Sequence, residues 1–460
     1  MKNKPFINPL LLALFLCFPL FVYGQIRVDE VVGKSDPSVN RSRGIKMLKQ
    51  IKEVIETYYY DKNYRGIDID QKFKEAAEKI KSLETNARIF RVIAGVLLEF
   101  NDSHTRFYPP GRSDRVEYGF SMQMIGDKGF IVDVIKGSDA EKQGMKVGDR
   151  LLKIGQYDIT RDSLWALNYF IYQLEPMPLL PVTFVDSRGG EKTVGITASF
   201  KSFEQRKKEA EARRKDAKEN PVKCSKISPA LTACKLRSFA VEKKYIDEMM
   251  KQAVTGSKFI LDLRGNRGGY VKMEEYLTGH FFDHEVKIAD MVTRTKTKTS
   301  ESKPVKDRQF KGELVVLIDS DSASASEVFA RLIQLEKRGK IVGDISAGAV
   351  MTSYSLGMAI DRGVPGYETI TPFGLNVTVA DLIMSDGNRL ENSGVIPDHP
   401  VGPTAYALAN KSDPVLSFAV KLLGENLTAE EAGKLGFLFK KTEDSSDDGD
   451  DEKDNDSDKQ

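Results

Sequence analysis

Residues 259–269 read Phe259-Ile260-Leu261-Asp262-Leu263-Arg264-Gly265-Asn266-Arg267-Gly268-Gly269, a short apolar run that empties into a glycine-rich turn. Leu314-Val315-Val316-Leu317-Ile318 is a second such run. Runs this short, without polar alternation, are those of strands buried on both faces of a largely parallel sheet. From Leu231 to about Pro403 they alternate with helical stretches, which predicts an α/β core over residues 231–403. Glycines in the turn let backbone N–H groups face a ligand, as an oxyanion hole requires. A phosphate loop would need a following Gly-Lys-Ser/Thr, which is missing.

Upstream of the core, residues 41–112 carry helical periodicity. Met47, Ile51, Val54, Ile55 and Tyr58 recur at three- and four-residue steps, Phe73, Ala76, Ala77 and Ile80 repeat the pattern, and a third helix runs from about Ala87 to Phe100. This predicts an N-terminal helical domain. Residues 115–199 change to short strands and glycine turns, with strands at 118–122, 129–134 and 150–154, a short helix starting at Ala140 and a longer helix over 163–174. Residues 200–230 are dense in Lys, Arg and Glu and read as a solvated helical linker. A C-terminal helical segment over 404–440 leads into an acidic Ser/Asp/Gly tail over 441–460 with the composition of disorder. The expected fold class is multidomain α+β.

The net charge of +2 conceals about −8 on residues 443–460 and about +10 on the rest. The basic residues are scattered or lie in one helical run without a recognition motif, so nucleic acid is not an expected partner. Lys2 and Lys4 precede an apolar run over 10–22, and Tyr23-Gly24-Gln25 offers a small residue for cleavage. That is the order of a secretory signal over 1–24, with a mature chain starting near Gln25. A run of thirteen residues is short for a hydrocarbon core of roughly 30 Å. The protein is expected to be exported, periplasmic or extracellular, without stable membrane insertion after cleavage; an uncleaved N-terminal anchor is the alternative. Cys17 leaves with the signal, and Cys224 and Cys234 are expected to bridge, two free thiols being the other reading. His104, His280, His284 and His399 are dispersed and neither CxxC nor HExxH occurs, so no metal and no organic cofactor is expected. His280 and His284, four apart, make an incomplete site and read as surface histidines.

Asp319-Ser320-Asp321-Ser322-Ala323-Ser324-Ala325-Ser326-Glu327 leads from a strand end into a helix. A serine at a helix N-terminus has the positive end of the dipole beside its oxygen. By local chemistry alone, three serines here read first as an N-cap cluster rather than as a catalytic site. The two segments together, Leu-Asp-Leu-Arg-Gly-Asn-x-Gly-Gly and then Ser-Ala-Ser-Ala-Ser-Glu, resemble the tail-specific (C-terminal-processing) serine protease family over roughly residues 45–403. Residues 115–199 resemble the PDZ domain of that family. The resemblance implies a crotonase-like α/β core and Ser324 as nucleophile. It implies an oxyanion hole from the amides of Gly268, Gly269 and Ala325, with Ser322, Ser326 and Glu327 starting the helix. The PDZ likeness implies that Tyr118, Gly119 and Phe120 receive a substrate's free C-terminal carboxylate, the helix over 163–174 walling the groove.

One departure matters. The lysine that activates serine in the bacterial branch, after the strand Ile341-Val342-Gly343, falls on Ala349. The branch that resembles the tricorn core protease carries a histidine base instead, in an Asp-x-His-Thr stretch. Here that reads Asn101-Asp102-Ser103-His104-Thr105-Arg106. It implies His104 as general base, oriented by Ser103 and by Glu391 of Glu391-Asn392-Ser393-Gly394-Val395-Ile396-Pro397-Asp398. The expected activity is an exported serine endopeptidase cutting peptides or unfolded segments through an acyl-enzyme. The rival is a catalytically inactive, PDZ-bearing peptide-binding scaffold of the same family, which the loss of the lysine supports.

Overall fold

The computed structural model describes residues 36–111, 115–360 and 371–437. The expected signal peptide and acidic tail lie outside them. No helix among the described residues is long and apolar enough to cross a membrane.

Three helices come first among the described residues: α1 (Pro37–Tyr58), α2 (Ile69–Lys81) and α3 (Asn86–Leu98). Each begins where a side-chain oxygen can cap orphan N–H groups: Asp36, Asp68 and Thr85 accept from Ser38, Gln71 and Arg88. Strand β1 (Arg106–Tyr108) follows, and after it β2 (Arg115–Glu117), β3 (Phe120–Ile125), β4 (Lys128–Val134), the single-turn helix α4 (Asp139–Lys142), β5 (Arg150–Ile154) and β6 (Tyr157–Asp158). Helix α5 (Arg161–Tyr169) continues as a wider turn over Phe170–Leu174 and precedes β7 (Leu179–Val185), β8 (Glu191–Thr197) and β9 (Ser199–Lys201). The sheet order is β3-β4-β5-β7-β8, with β6 on β5, which leaves β3 at an edge beside α5. Strand β2 pairs with β9 apart from this sheet.

The charged segment expected as a linker over 200–230 is helical only in α6 (Phe203–Glu219). It then enters a sheet as β10 (Val222–Lys226), paired antiparallel to β11 (Leu231–Leu236). The correction has a local cause: Cys224 stands opposite Cys234 in the ladder and the two are bridged.

The second half contains α7 (Lys243–Ala253), β12 (Lys258–Asp262), α8 (Val271–Thr278), β13 (Val286–Thr293), β14 (Thr297–Ser302), β15 (Glu313–Ile318), α9 (Ala325–Leu335) and β16 (Lys340–Gly343). It continues with β17 (Met351–Ile360), β18 (Thr371–Met384), β19 (His399–Pro400), α10 (Ala405–Asn410), α11 (Pro414–Leu422) and α12 (Ala429–Lys434). One sheet runs β10-β11-β12-β15-β16-β19 and is parallel from β11 onward. Burial on both faces explains the apolar runs. Phe259 and Leu261 of β12 pack with Leu314 and Val316 of β15 against Met250 and Phe329, while Ile260, Val315 and Leu317 face Leu416 and Val420 on the other side. A mixed α/β architecture results.

The N-terminal helices and the strands over 120–197 share one buried cluster, which also takes in Phe373, Leu375 and Val377 of β18. Strand β1 pairs with β18, Arg106 opposite Asn376. The segment holding His104 is thereby fastened to the second half of the chain. Gln123 Nε2 donates to Asp319 Oδ2 at 2.9 Å and Ser320 Oγ to the Met124 carbonyl at 2.7 Å, which fastens β3 to the end of β15.

Candidate active site

Strand β15 ends at Ile318, and the chain turns through residues 319–324 into α9. Ser324 sits at that corner with φ +54° and ψ −121°. A non-glycine residue in this region carries strain of order 1–3 kcal/mol, sustained only where neighbours over-determine it. They do here: its N–H donates to the Ala349 carbonyl and to Glu327 Oε2, both at 3.0 Å. The neighbouring serines differ. Ser322 Oγ donates to the Leu263 carbonyl at 2.8 Å and Ser326 Oγ to the Asn266 carbonyl at 2.9 Å, and both are fully buried. Of the three, Ser324 alone lines a cavity that is also bordered by β3 and α5.

That cavity is about 390 Å³ and also holds Ser103 and His104 on its wall. Around them Asp102 is the local organiser. Buried, it accepts from Tyr59 Oη (2.9 Å), from the backbone of His104 (3.0 Å) and Thr105 (2.6 Å), and from Thr378 Oγ1 (2.9 Å). The next links carry toward the ring. Glu391 Oε1 accepts from Ser103 N at 2.6 Å, its Oε2 accepts from Ser103 Oγ at 3.0 Å, and Ser103 Oγ lies 2.6 Å from His104 Nδ1. Val350 N donates to the same Oε2 at 2.8 Å. Burial, with the Asp102 charge adding to it, pushes the Glu391 carboxyl up to about 7. The four residues expected from sequence thus line one cavity or reach it through a chain of hydrogen bonds.

Glu327, expected only to start a helix, does more. It is fully buried and accepts four bonds: Ser346 Oγ (2.6 Å), Gly348 N (2.7 Å), Ala349 N (2.9 Å) and Ser324 N. Burial pushes it up to about 7 against the pull of these donors. The Ser324-x-x-Glu327 spacing of a capping box was the signal that could have found it.

The glycine turn needs correction. Gly268 N–H donates to Asn266 Oδ1 at 2.9 Å, so the amide expected of an oxyanion hole is engaged. Asn266 is buried, and its side chain must bridge the turn it starts; its Nδ2 donates to the Leu236 carbonyl. Gly268 is still indispensable: a Cβ there, at φ +98°, would lie 2.7 Å from Ser324 Cβ. Tyr118, Gly119 and Phe120 are all buried. Tyr118 Oη is held by the Met177 backbone at 2.9 Å, and of the three only Phe120 lines the cavity. His280 is buried too, not on the surface: its Nδ1 lies 3.0 Å from the Tyr276 carbonyl and its ring stands edge-on to Tyr276. No group of metal-ligating side chains occurs among the described residues. The buried Lys235 is bound to Asp262 and the Arg264 carbonyl, outside the cavity.

On the other side of Ser324 is a hollow of about 40 Å³ walled by Ile288, Val328, Val350, Met351 and Leu382, with the buried Glu274 at its edge.

Residues 232–401 match peptidase family S41. Among curated proteins, the chain is 23% identical over 398 residues to carboxyl-terminal-processing peptidase 1, chloroplastic, of Arabidopsis thaliana, covering 81% of this chain and 74% of that one. It is 24% identical over 318 residues to carboxy-terminal processing protease CtpB of Bacillus subtilis, covering 66% and 62%. Among solved structures, mature CPAF superposes with a TM-score of 0.63 at 13% identity, over 86% of this chain and 98% of that one, a likeness of fold.

Proposed function

We propose that the chain, a serine peptidase, has a family S41 core and is an exported, histidine-dependent endopeptidase of peptides or unfolded protein segments. The observation that carries this reading is the chain Glu391–Ser103–His104, ending in the cavity that Ser324 lines. With Glu391 ionised, Ser103 donates to it and its oxygen is left to accept from His104 Nδ1–H. That sets the tautomer with its proton on Nδ1, in which Nε2 is the nitrogen that takes the Ser324 proton. Ser324 Oγ then attacks the scissile carbonyl, the imidazolium returns the proton to the leaving amine, and water hydrolyses the acyl-enzyme by the same route. The oxyanion is assigned to Ala325 N–H at the start of α9 and to Gly269, since the Gly268 amide is engaged elsewhere.

The peptide enters beside β3, in the groove walled by Leu164, Trp165 and Tyr169 of α5 that belongs to the same cavity. PDZ-like capture beside the nucleophile is the reading that this shared lining supports. The small apolar hollow behind Ser324 suits a small apolar side chain at the scissile bond. Export rests on the N-terminal signal pattern and on the Cys224–Cys234 bridge.

A fluorophosphonate probe tests the reading. It should label wild-type protein at Ser324 by peptide mass spectrometry, and Ser324→Ala should lose both labelling and casein cleavage while Ser322→Ala keeps much of both. An unlabelled wild-type protein would favour the inactive scaffold, the reading that Ala349 in place of lysine supports.

A further inference from the structure

His104, Arg106 and Tyr108, alternate residues leading into and along β1, line the cavity that holds Ser324, while Thr105 and Phe107 between them are buried. Three arginines line that cavity. Arg161 is bound to Asp344 Oδ2 at 2.8 Å and donates to the Ile345 carbonyl at 3.0 Å. Arg267 faces Asp321 at 3.4 Å. Arg106 differs from both. Its guanidinium carbon lies 4.9 Å from the centre of the Trp165 ring, its Nε is buried without a hydrogen-bond partner, and no carboxylate among the described residues pairs with it. The acids nearby are committed: Glu117 to Lys201 at 2.5 Å, Asp102 to the hydrogen bonds around His104.

A guanidinium lying over an indole is restrained in position, because the ring face attracts it and limits where its N–H fork can point. A carboxylate accepts such a fork through two parallel charge-assisted bonds. Neutral peptide groups gain less from it, and a buried unpaired N–H is costly to leave unmet. We propose that Arg106, lying over Trp165, is a specificity-determining residue that receives a substrate carboxylate in the cavity that Ser324 lines, from an acidic side chain or from the chain's C-terminus. The proposal rests on the reading of this cavity as the peptide cleft, and names the chemistry of the peptide it prefers.

Trp165 is the single tryptophan of the sequence, so its emission reports on the site directly. Ser324→Ala protein, which traps binding without turnover, is titrated with three octapeptides. One has an internal Glu and an amidated end, one has no acidic side chain and a free carboxylate, and one has neither. At least one carboxylate peptide should bind tenfold or more tightly than the neutral one, and which of the two does so identifies the source. Adding Arg106→Gln should bring that ratio close to one. Arg106→Lys should keep only part of it, since an ammonium restores the charge but not the fork. Equal affinities for all three peptides, or a preference that survives Arg106→Gln, overturns the proposal. Failure of the peptidase reading shows elsewhere, as absent probe labelling of the wild-type protein, and leaves this binding measurement intact.

Discussion

Glu327 and Glu391 are the same residue type in the same kind of place, taking the neighbouring amides of Ala349 and Val350, and they hold different parts of the site. Both are buried, and burial pushes both up to about 7. Glu327 ties three backbone N–H groups and the Ser346 hydroxyl, so every bond it accepts fixes the turn over 346–349 and the corner at Ser324. Glu391 ties one backbone amide on each of two segments, and its third contact is the Ser103 hydroxyl, which can accept as well as donate. A network whose donors are all backbone amides and one fixed hydroxyl is scaffold. A network that includes a hydroxyl touching an imidazole can pass orientation to a base. The difference lies in the partners, not in the carboxylate.

His104→Ala should lower kcat by roughly a hundred-fold or more, the scale of a lost general base, and leave the thermal midpoint nearly unchanged. Glu391→Gln should lower kcat by about ten-fold, because it orients the ring and touches no reacting atom. Glu327→Gln should show mainly as lost stability, about 1–3 kcal/mol in denaturant unfolding, since an amide NH₂ would face donors where an oxygen accepted them. If instead Glu327→Gln unfolds no more easily and Glu391→Gln unfolds readily with unchanged kcat, the contrast between the two carboxylates is wrong.

A smaller effect sharpens the contrast through pH. Activity should climb through about pH 7, where Glu391 ionises and Ser103 is set to donate to it. Stability should move the other way. Glu274, Glu327 and Glu391 are held at about 8, 7 and 7 in the fold against 4.5 in the open chain. Between those values the unfolded chain has released protons that the fold retains, so stability falls as pH rises from about 4.5 to about 8 and is level above. Thermal melts from pH 5 to 8 should show the midpoint falling by a few degrees, and Glu274→Gln should flatten the slope. A midpoint that rises over this range would break the assignment of these three groups as buried acids.

The sequence carried what local physics dictates. The apolar runs at 259–263 and 314–318 announced strands covered on both faces, and they are. Ser324 stood out only through the resemblance that the glycine turn and the Ser-Ala-Ser-Ala-Ser-Glu run carry together, since local chemistry left it in an N-cap cluster. His104 was readable only once Ala349 was seen where a lysine is expected. His280 was misplaced because a four-residue spacing says nothing about which face of a helix another element covers. Glu327 was underrated because a capping-box glutamate on an open helix and one sealed under a turn have the same spelling. The 200–230 segment was read by its charge, and a composition argument cannot see that Cys224 sits opposite Cys234 in a ladder.

What tertiary structure alone decided is the meeting of distant segments. Ser103 and Glu391 are 288 residues apart and share two hydrogen bonds. The strand bearing Arg106 reaches the cleft because β1 pairs with β18, and the groove beside β3 opens at Ser324 because Ser320 and Asp319 fasten the two sheets together. Helix and strand patterns are set by neighbours a few residues away and by the side that faces water, so one sequence suffices to read them. Contacts across hundreds of residues form only where the whole chain has closed its loops around common cores, and no local pattern records which segments will meet there.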